Sequence, residues 1–304
     1  MKKRIIQNVA LIGYGYWGKI LKQYIEKKWN LKCICAVNYQ DSCSFESILL
    51  DSSIDTVFVC TPANTHYPIV KKLLQNRKNV FCEKPLSLSS KESTELINIS
   101  HKEQVALFVD YIYCYSNSLL YLLNSYQSSF ESLKGCHFKM FQMGKFYDDA
   151  DCFQSLGVHF LALLGYLNAK YRFFDKEKCN IAKTATSCYG ADLPASGSIT
   201  IRDCAGFVAT IDISQVSIDK YRELFFSFGD LKVLLTPTKE ITFSSFRIEK
   251  NEVVYEKQES FDESNNIINV LNEFEAIVES GNNYENEQAT YFANSVLDLV
   301  STKD

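Results

Sequence analysis

Val9 to Gly13 is almost wholly apolar, as a parallel strand covered on both faces requires, and a glycine turn follows at once. Trp17, Ile20, Leu21, Tyr24, Ile25 and Trp29 then recur at spacings of three and four, which predicts an amphipathic helix over Tyr16 to Trp29. Leu31 to Val37 is a second apolar strand. "IDTVFVCTP", "NVFCEKP" and "VALFVDYIY" read as three more buried strands. Between them lie a helix at "HYPIVKKLLQNR", with Ile69, Val70, Leu73 and Leu74 on one face, and another running to about Glu103, opened by a capping box of Ser89 and Glu92. Repeated strand-helix alternation predicts a doubly wound parallel sheet with helices on both sides. One irregularity interrupts it: after Asn38 only "YQDSCSFESILLDSS" precedes the next strand, which leaves room for a single short helix.

Past roughly Tyr115 the period changes from helical to two. "GCHFKMFQM", "GSITIRD", "GFVATIDISQV", "YRELFFSF", "LKVLLT", "EITFSSF" and "EVVYEK" follow one another with short polar turns, predicting an open, mainly antiparallel sheet. Helices over Asn266 to Ser280 and about Asn286 to Val300 close the chain. The expected organisation is therefore α/β followed by α+β: a dinucleotide-binding Rossmann domain over 1–115, then a substrate-binding and oligomerisation domain over 116–304. A sheet of the second kind leaves one face for a partner subunit, so a homodimer or homotetramer is expected.

At 304 residues, 46% hydrophobic and 22% charged, the chain is long enough for two cores. A net charge of -4, with both signs mixed along the sequence, offers no field for nucleic acid or an anionic membrane. The "MKKR" start leads into a strand with no apolar run of signal or membrane-span length, which points to the cytoplasm. Eleven cysteines scattered through strand-like segments then read as reduced thiols. Cys33 and Cys35 form a C-x-C near Cys43, but no second Cys/His cluster stands at a zinc spacing, so no metal site is expected.

The candidate chemistry begins at "VALIGYGYWGK". Gly13, Gly15 and Gly18 form G-x-G-x-x-G inside a strand-turn-helix-strand unit: Gly13 for the tight turn, Gly15 for approach of a pyrophosphate, Gly18 for close packing of the helix. The helix N-terminus would attract the phosphate charge. Where an Asp or Glu would bind the ribose hydroxyls of NAD stands Asn38; an amide does not repel a 2′-phosphate, yet no Arg or Lys follows closely, so either NAD or NADP fits, with Asp41 an alternative ribose partner. "CTPANTHYP" and "CEKP" lie just beyond strand ends, where ligands collect in open α/β sheets. Lys84 there is expected to be partly desolvated, with a lowered pKa and a cation able to bind a substrate hydroxyl. His66 would start a helix near the cofactor, whereas His159 lies in the apolar helix "SLGVHFLALLGYL", a position shared by core and catalytic histidines alike.

"LIGYGYWGK", "IDTVFVCTPANTHYPIV", "VFCEKPLS" and "LGVH", in this order, resemble the Gfo/Idh/MocA family of sugar and inositol dehydrogenases. The resemblance implies that Gly13, Gly15, Tyr16, Trp17 and Gly18 line the pyrophosphate. It further implies that Cys60, Thr61, Pro62 and His66 lie along the cofactor, and that Glu83 and Lys84 flank the nicotinamide. Lys84 and His159 would be the catalytic pair, His159 and Gly157 matching the family's D-x-G-x-H helix pattern. The aspartate of that pattern is Ser155 here, an acidic position three after the histidine is Ala162, and an arginine after the fifth strand is Cys114. Asp148, Asp149, Asp151 or Tyr147, in the preceding loop, are the groups at hand to substitute.

Three functional expectations follow. The first is an NAD(P)-dependent oxidoreductase moving a hydride between nicotinamide and a secondary alcohol or ketone of a sugar or nucleotide sugar. The second is a non-catalytic dehydrogenase fold that binds a nucleotide or sugar for sensing or assembly, favoured by Ser155, Ala162, Cys114 and Asn38. The third, nucleophilic catalysis by Cys152 with His159, rests only on their seven-residue spacing and lacks evident oxyanion donors.

Overall fold

The computed structural model describes residues 5–148, 150–190 and 192–301. Met1–Arg4 and Asp149, named above, lie outside them. The described residues form two compact units, one of residues 5–112 with 265–295, the other of 113–264 with 296–301.

The first unit carries β1 (Asn8–Ile12), α1 (Tyr16–Lys28), β2 (Asn30–Cys35), α2 (Phe45–Leu50), β3 (Thr56–Val59), α3 (His66–Gln75), β4 (Asn79–Glu83), α4 (Ser90–Glu103) and β5 (Leu107–Asp110). Its five strands are all parallel in the order β2-β1-β3-β4-β5. The short segment after Asn38 accounts for this order. It holds only the six-residue α2, so the chain crosses from β2 to the other side of β1 without a strand in between. The direction of winding thus reverses between β1 and β3, the switch point at which open α/β sheets bind ligands. α4 starts where expected, but the Ser89 side chain makes no cap hydrogen bond. Ser87 instead braces the turn before the helix, its hydroxyl donating to the Ser89 carbonyl at 2.7 Å and meeting the Ser93 hydroxyl at 2.8 Å.

Phe58, Phe81 and Phe108 occupy neighbouring register positions on β3, β4 and β5 and stack across the sheet with ring centroids 5.0 and 5.4 Å apart. All three are fully buried. Phe274, from the closing helix α7 (Asn266–Ser280), meets each of them at 5.5–5.8 Å. Each such aromatic pair contributes about 0.5–1.5 kcal/mol beyond the area it buries. At the sheet edge Asn286, in α8 (Tyr284–Ser301), donates to the Val109 carbonyl at 2.9 Å and accepts from its N–H at 3.0 Å, pairing backbone groups that an edge strand would leave open. The first unit ends at Ile112 and the closing helices, assigned to 116–304 from chain order, pack largely with the parallel sheet.

The second unit holds α5 (Asn117–Ser125), β6 (Gly135–Met143), α6 (Val158–Tyr171), β7 (Cys179–Tyr189), β8 (Leu193–Asp203), β9 (Val208–Ser214), β10 (Val216–Phe228), β11 (Leu231–Leu235), β12 (Phe243–Glu249) and β13 (Glu252–Glu259). The eight strands run β13-β12-β11-β10-β6-β9-β8-β7, antiparallel throughout except for the parallel pair β6-β9. Period-two burial along β6, β8, β9 and β10 turns Phe138, Ile199, Ile211 and Phe226 to the core. α6, apolar almost all round, is buried as such a helix must be. The opposite sheet face carries a polar network: His137 meets Asp212 at 2.6 Å and Lys139 meets Glu223 at 2.8 Å. No helix among the described residues is long and apolar enough to cross a membrane.

Candidate active site

In the first unit the loops that follow β1, β3 and β4 converge at the carboxyl edge of the sheet. Gly13 has φ +93°, and a Cβ there would meet the Cys60 carbonyl oxygen at 2.5 Å, so the two turns beside the switch point pack as bare backbone. A Cβ on Gly18 would strike the Gly13 carbonyl at 2.3 Å, which fixes how closely α1 approaches β1. Gly15 is different: nothing lies within 4 Å of its Cβ position. It caps α1, which has no side-chain cap and no acid in its first turn, leaving the helix N–H groups and dipole directed at open space. An anion fits there, as a dinucleotide pyrophosphate requires.

Tyr16 is 70% exposed beside this turn, and Asn38 and Asp41 are exposed after β2. The Trp17 indole donates to Asp110 Oδ2 at 3.4 Å, which ties the glycine turn to the end of β5. Cys60 has its thiol pushed well above the usual range by burial. Thr61 and Pro62 continue the turn, the Thr61 hydroxyl accepting from Thr65 at 2.7 Å.

His66 is turned into the protein between two of these loops. It is 1% exposed, with Nδ1 at 2.7 Å from the Pro85 carbonyl and Nε2 at 2.8 Å from that of Thr61. Burial lowers its pKa, opposed by these two hydrogen bonds. The ring is a brace that holds the Cys60–Pro62 turn against the Lys84–Pro85 turn.

Glu83 and Lys84 are half-buried at the end of β4, and Glu83 is the register partner of Asp110 on β5, which is 3% exposed. Neighbours across parallel strands face the same side, so the two carboxyl groups lie side by side. Burial pushes the Asp110 carboxyl up to about 7 and that of Glu83 well above the carboxylate range, the neighbouring acid adding to the shift of Glu83. Burial also lowers the Lys84 pKa, while the charges of Glu83 and Asp110 act to raise it.

The second unit holds the other expected catalytic group. His159, half-exposed on α6, has the Tyr113 ring edge-on at a centroid distance of 5.1 Å. The Tyr113 hydroxyl accepts from Arg222 Nε at 3.0 Å, and this guanidinium, 4% exposed, also donates to the carbonyls of Phe141 and Tyr221 at 2.7 and 2.8 Å and to the Gln142 side chain. Ser155, in the aspartate's place, donates its hydroxyl to the Asp151 carbonyl at 2.8 Å and accepts from Gln215 at 3.1 Å. Asp151 is buried and accepts from the Gln154 N–H at 2.8 Å, which makes it a helix-start cap. Asp148 is exposed, and Tyr147 is held through its backbone by the Tyr189 hydroxyl. Gly157 permits α6 to lie on the sheet, since a Cβ there would meet Ile213 at 2.6 Å. Cys152 is fully buried with its thiol pushed up to about 12, chiefly by burial, so it offers no thiolate at neutral pH.

Asp110, Tyr113 and Arg222 were missed as site residues. Two of them left a signal: Asp110 is an acid ending an apolar strand, and Arg222 is a charge in phase with Leu224, Phe226 and Phe228 on the inward side of β10.

Residues 7–111 match the family model described as an oxidoreductase family with an NAD-binding Rossmann fold. Among curated proteins, the chain is 25% identical over 126 residues to 2,7-anhydro-N-acetylneuraminate hydratase of Escherichia coli, covering 38% of this chain and 34% of that one. It is 38% identical over 64 residues to myo-inositol 2-dehydrogenase of Thermotoga maritima, covering 21% and 19%. The matched stretch thus spans about a third or less of these relatives. Among solved structures, UDP-N-acetylglucosamine 3-dehydrogenase of Acidithiobacillus ferrooxidans has the same fold, with a TM-score of 0.79 over 96% of both chains at 16% identity. With its glycine turn, switch point and Glu83-Lys84-Pro85 turn, the part of this chain over residues 7–111 resembles the Gfo/Idh/MocA oxidoreductase family whose model it matches.

Proposed function

We propose that the protein is an NAD(P)-dependent oxidoreductase acting on a secondary alcohol or ketone of a sugar or nucleotide sugar, with the nicotinamide as hydride carrier. The observation that carries this reading is the placement of the uncovered Gly15 turn and of Lys84, with its two acids, at one edge of the parallel sheet. The Thermotoga relative is an inositol dehydrogenase and the Acidithiobacillus structure a nucleotide-sugar dehydrogenase, which supports the substrate class. Gly13, Gly15, Tyr16, Trp17 and Gly18 would hold the pyrophosphate, Asn38 the ribose, and Cys60 to Pro62, Glu83 and Lys84 the rest of the cofactor. Lys84 binds the substrate oxygen as a cation, and His159 takes or returns the hydroxyl proton. The protein works in the cytoplasm as a homo-oligomer, independently of nucleic acid and membrane.

Replacing Lys84 with Ala tests the assignment. Turnover of the accepted sugar, followed at the reduced-nicotinamide absorbance, is expected to fall about 10²–10⁴-fold with cofactor still bound. Unchanged turnover refutes it.

One observation favours the second reading, a binding protein without turnover. Ser155 spends its hydroxyl on the Asp151 carbonyl, so no carboxylate stands at the family's aspartate position. Tight nucleotide binding with no turnover across a broad sugar panel would decide for it.

A further inference from the structure

Glu83 and Asp110 make a buried carboxyl pair that hydride transfer itself does not require. Glu83 Oε1 and Asp110 Oδ1 are both shielded from solvent, and neither has a hydrogen-bond donor among the described residues. The register of β4 and β5 sets the two groups side by side. Carboxyl groups so placed can hydrogen-bond only with a proton on one of them, because ionised carboxylates only accept. Like charges in contact without water also cannot both persist. The Trp17 indole occupies Asp110 Oδ2, which leaves Oδ1 to face Glu83.

We propose that Glu83 and Asp110 share one proton, that the pair positions Lys84 by presenting it with one negative charge instead of two, and that it surrenders this proton when a positively charged nicotinamide binds. With the shared proton, the pair and the Lys84 ammonium sum to zero charge. A cationic ring brought to this edge favours the doubly ionised pair, and the proton leaves to solvent. The neutral reduced ring has no such effect, so the proton stays. The other titratable groups of the same unit against the pair are the thiols of Cys60 and Cys82, both held protonated by burial, which leaves Lys84 as the facing cation. The linkage to nicotinamide rests on the cofactor assignment above; the shared proton does not.

Infrared titration of the whole protein, wild type against Asp110→Asn and Glu83→Gln, separates the two parts. A protonated-carboxyl band is expected in the wild type at neutral pH and missing from both variants. No such band, or one that both variants retain, overturns the shared proton. Calorimetry with NAD and NADH in two buffers of different ionisation enthalpy reads the linkage: release of up to about one proton on binding NAD, none on binding NADH, and none with NAD in Asp110→Asn. Equal release with both nucleotides overturns the linkage, as does release that persists in Asp110→Asn, which would come from Lys84. If neither nucleotide binds, the cofactor assignment and the linkage fall together, and the infrared band alone decides on the shared proton.

Discussion

Lys84 was legible in the sequence because a lysine between a buried strand and a proline has few places to go. Its acidic partner Asp110 was not, since strand register, which sequence spacing does not specify, is what sets it beside Glu83. The same holds for His159, whose neighbour Tyr113 comes from 46 residues away in the chain and is itself held by Arg222, 109 residues further on. Asp110 also makes stability depend on pH in an unusual sense. A carboxyl raised to about 7 in the folded protein stays protonated after its unfolded counterpart has ionised. Its stabilisation is complete below the ordinary aspartate range and is lost as pH rises from about 4 to about 7. Thermal unfolding across that interval is expected to show the wild type losing stability relative to Asp110→Asn, and parallel curves would argue that the pair is fully ionised.

At the scale of elements, hydrophobic periodicity located β1 to β5 and their helices well, because each is covered by apolar neighbours along its length. β7 was missed: it is largely exposed on both sides, so it lacks the alternation by which half-buried strands are read. α5 was missed as well, a nine-residue helix too short to show more than two turns of apolar period. Within the glycine turn the three glycines have separate roles, and substitution separates them. Gly13→Ala forces a Cβ at positive φ into the Cys60 carbonyl and is expected to cost at least about 1–3 kcal/mol of stability. Gly15→Ala meets nothing, so stability is expected to change by less than about 0.5 kcal/mol while cofactor affinity falls. Chemical denaturation with a binding titration checks both, and equal destabilisation by the two substitutions would contradict the separation.

For the whole molecule, two cores were predictable from length and from the change of period near Tyr115, but the chain's return to the first core was not. Chain order assigns α7 to the later domain; only the ring of Phe274 against Phe58, Phe81 and Phe108 shows where the helix belongs. Phe274→Ala is expected to destabilise the parallel-sheet unit by about 3–5 kcal/mol, seen as a fall in its unfolding midpoint. No change would mean that α7 contributes nothing to that core. The family resemblance covers the dinucleotide-binding part, so the claim on which the rest depends is that this fold still holds a nicotinamide cofactor. Calorimetric titration of the whole protein with NAD, NADH, NADP and NADPH tests it most directly. Saturable binding of at least one of them, at one site per chain, weakened by Gly15→Ala and retained in Lys84→Ala, is the result predicted; no binding of any of the four would contradict it.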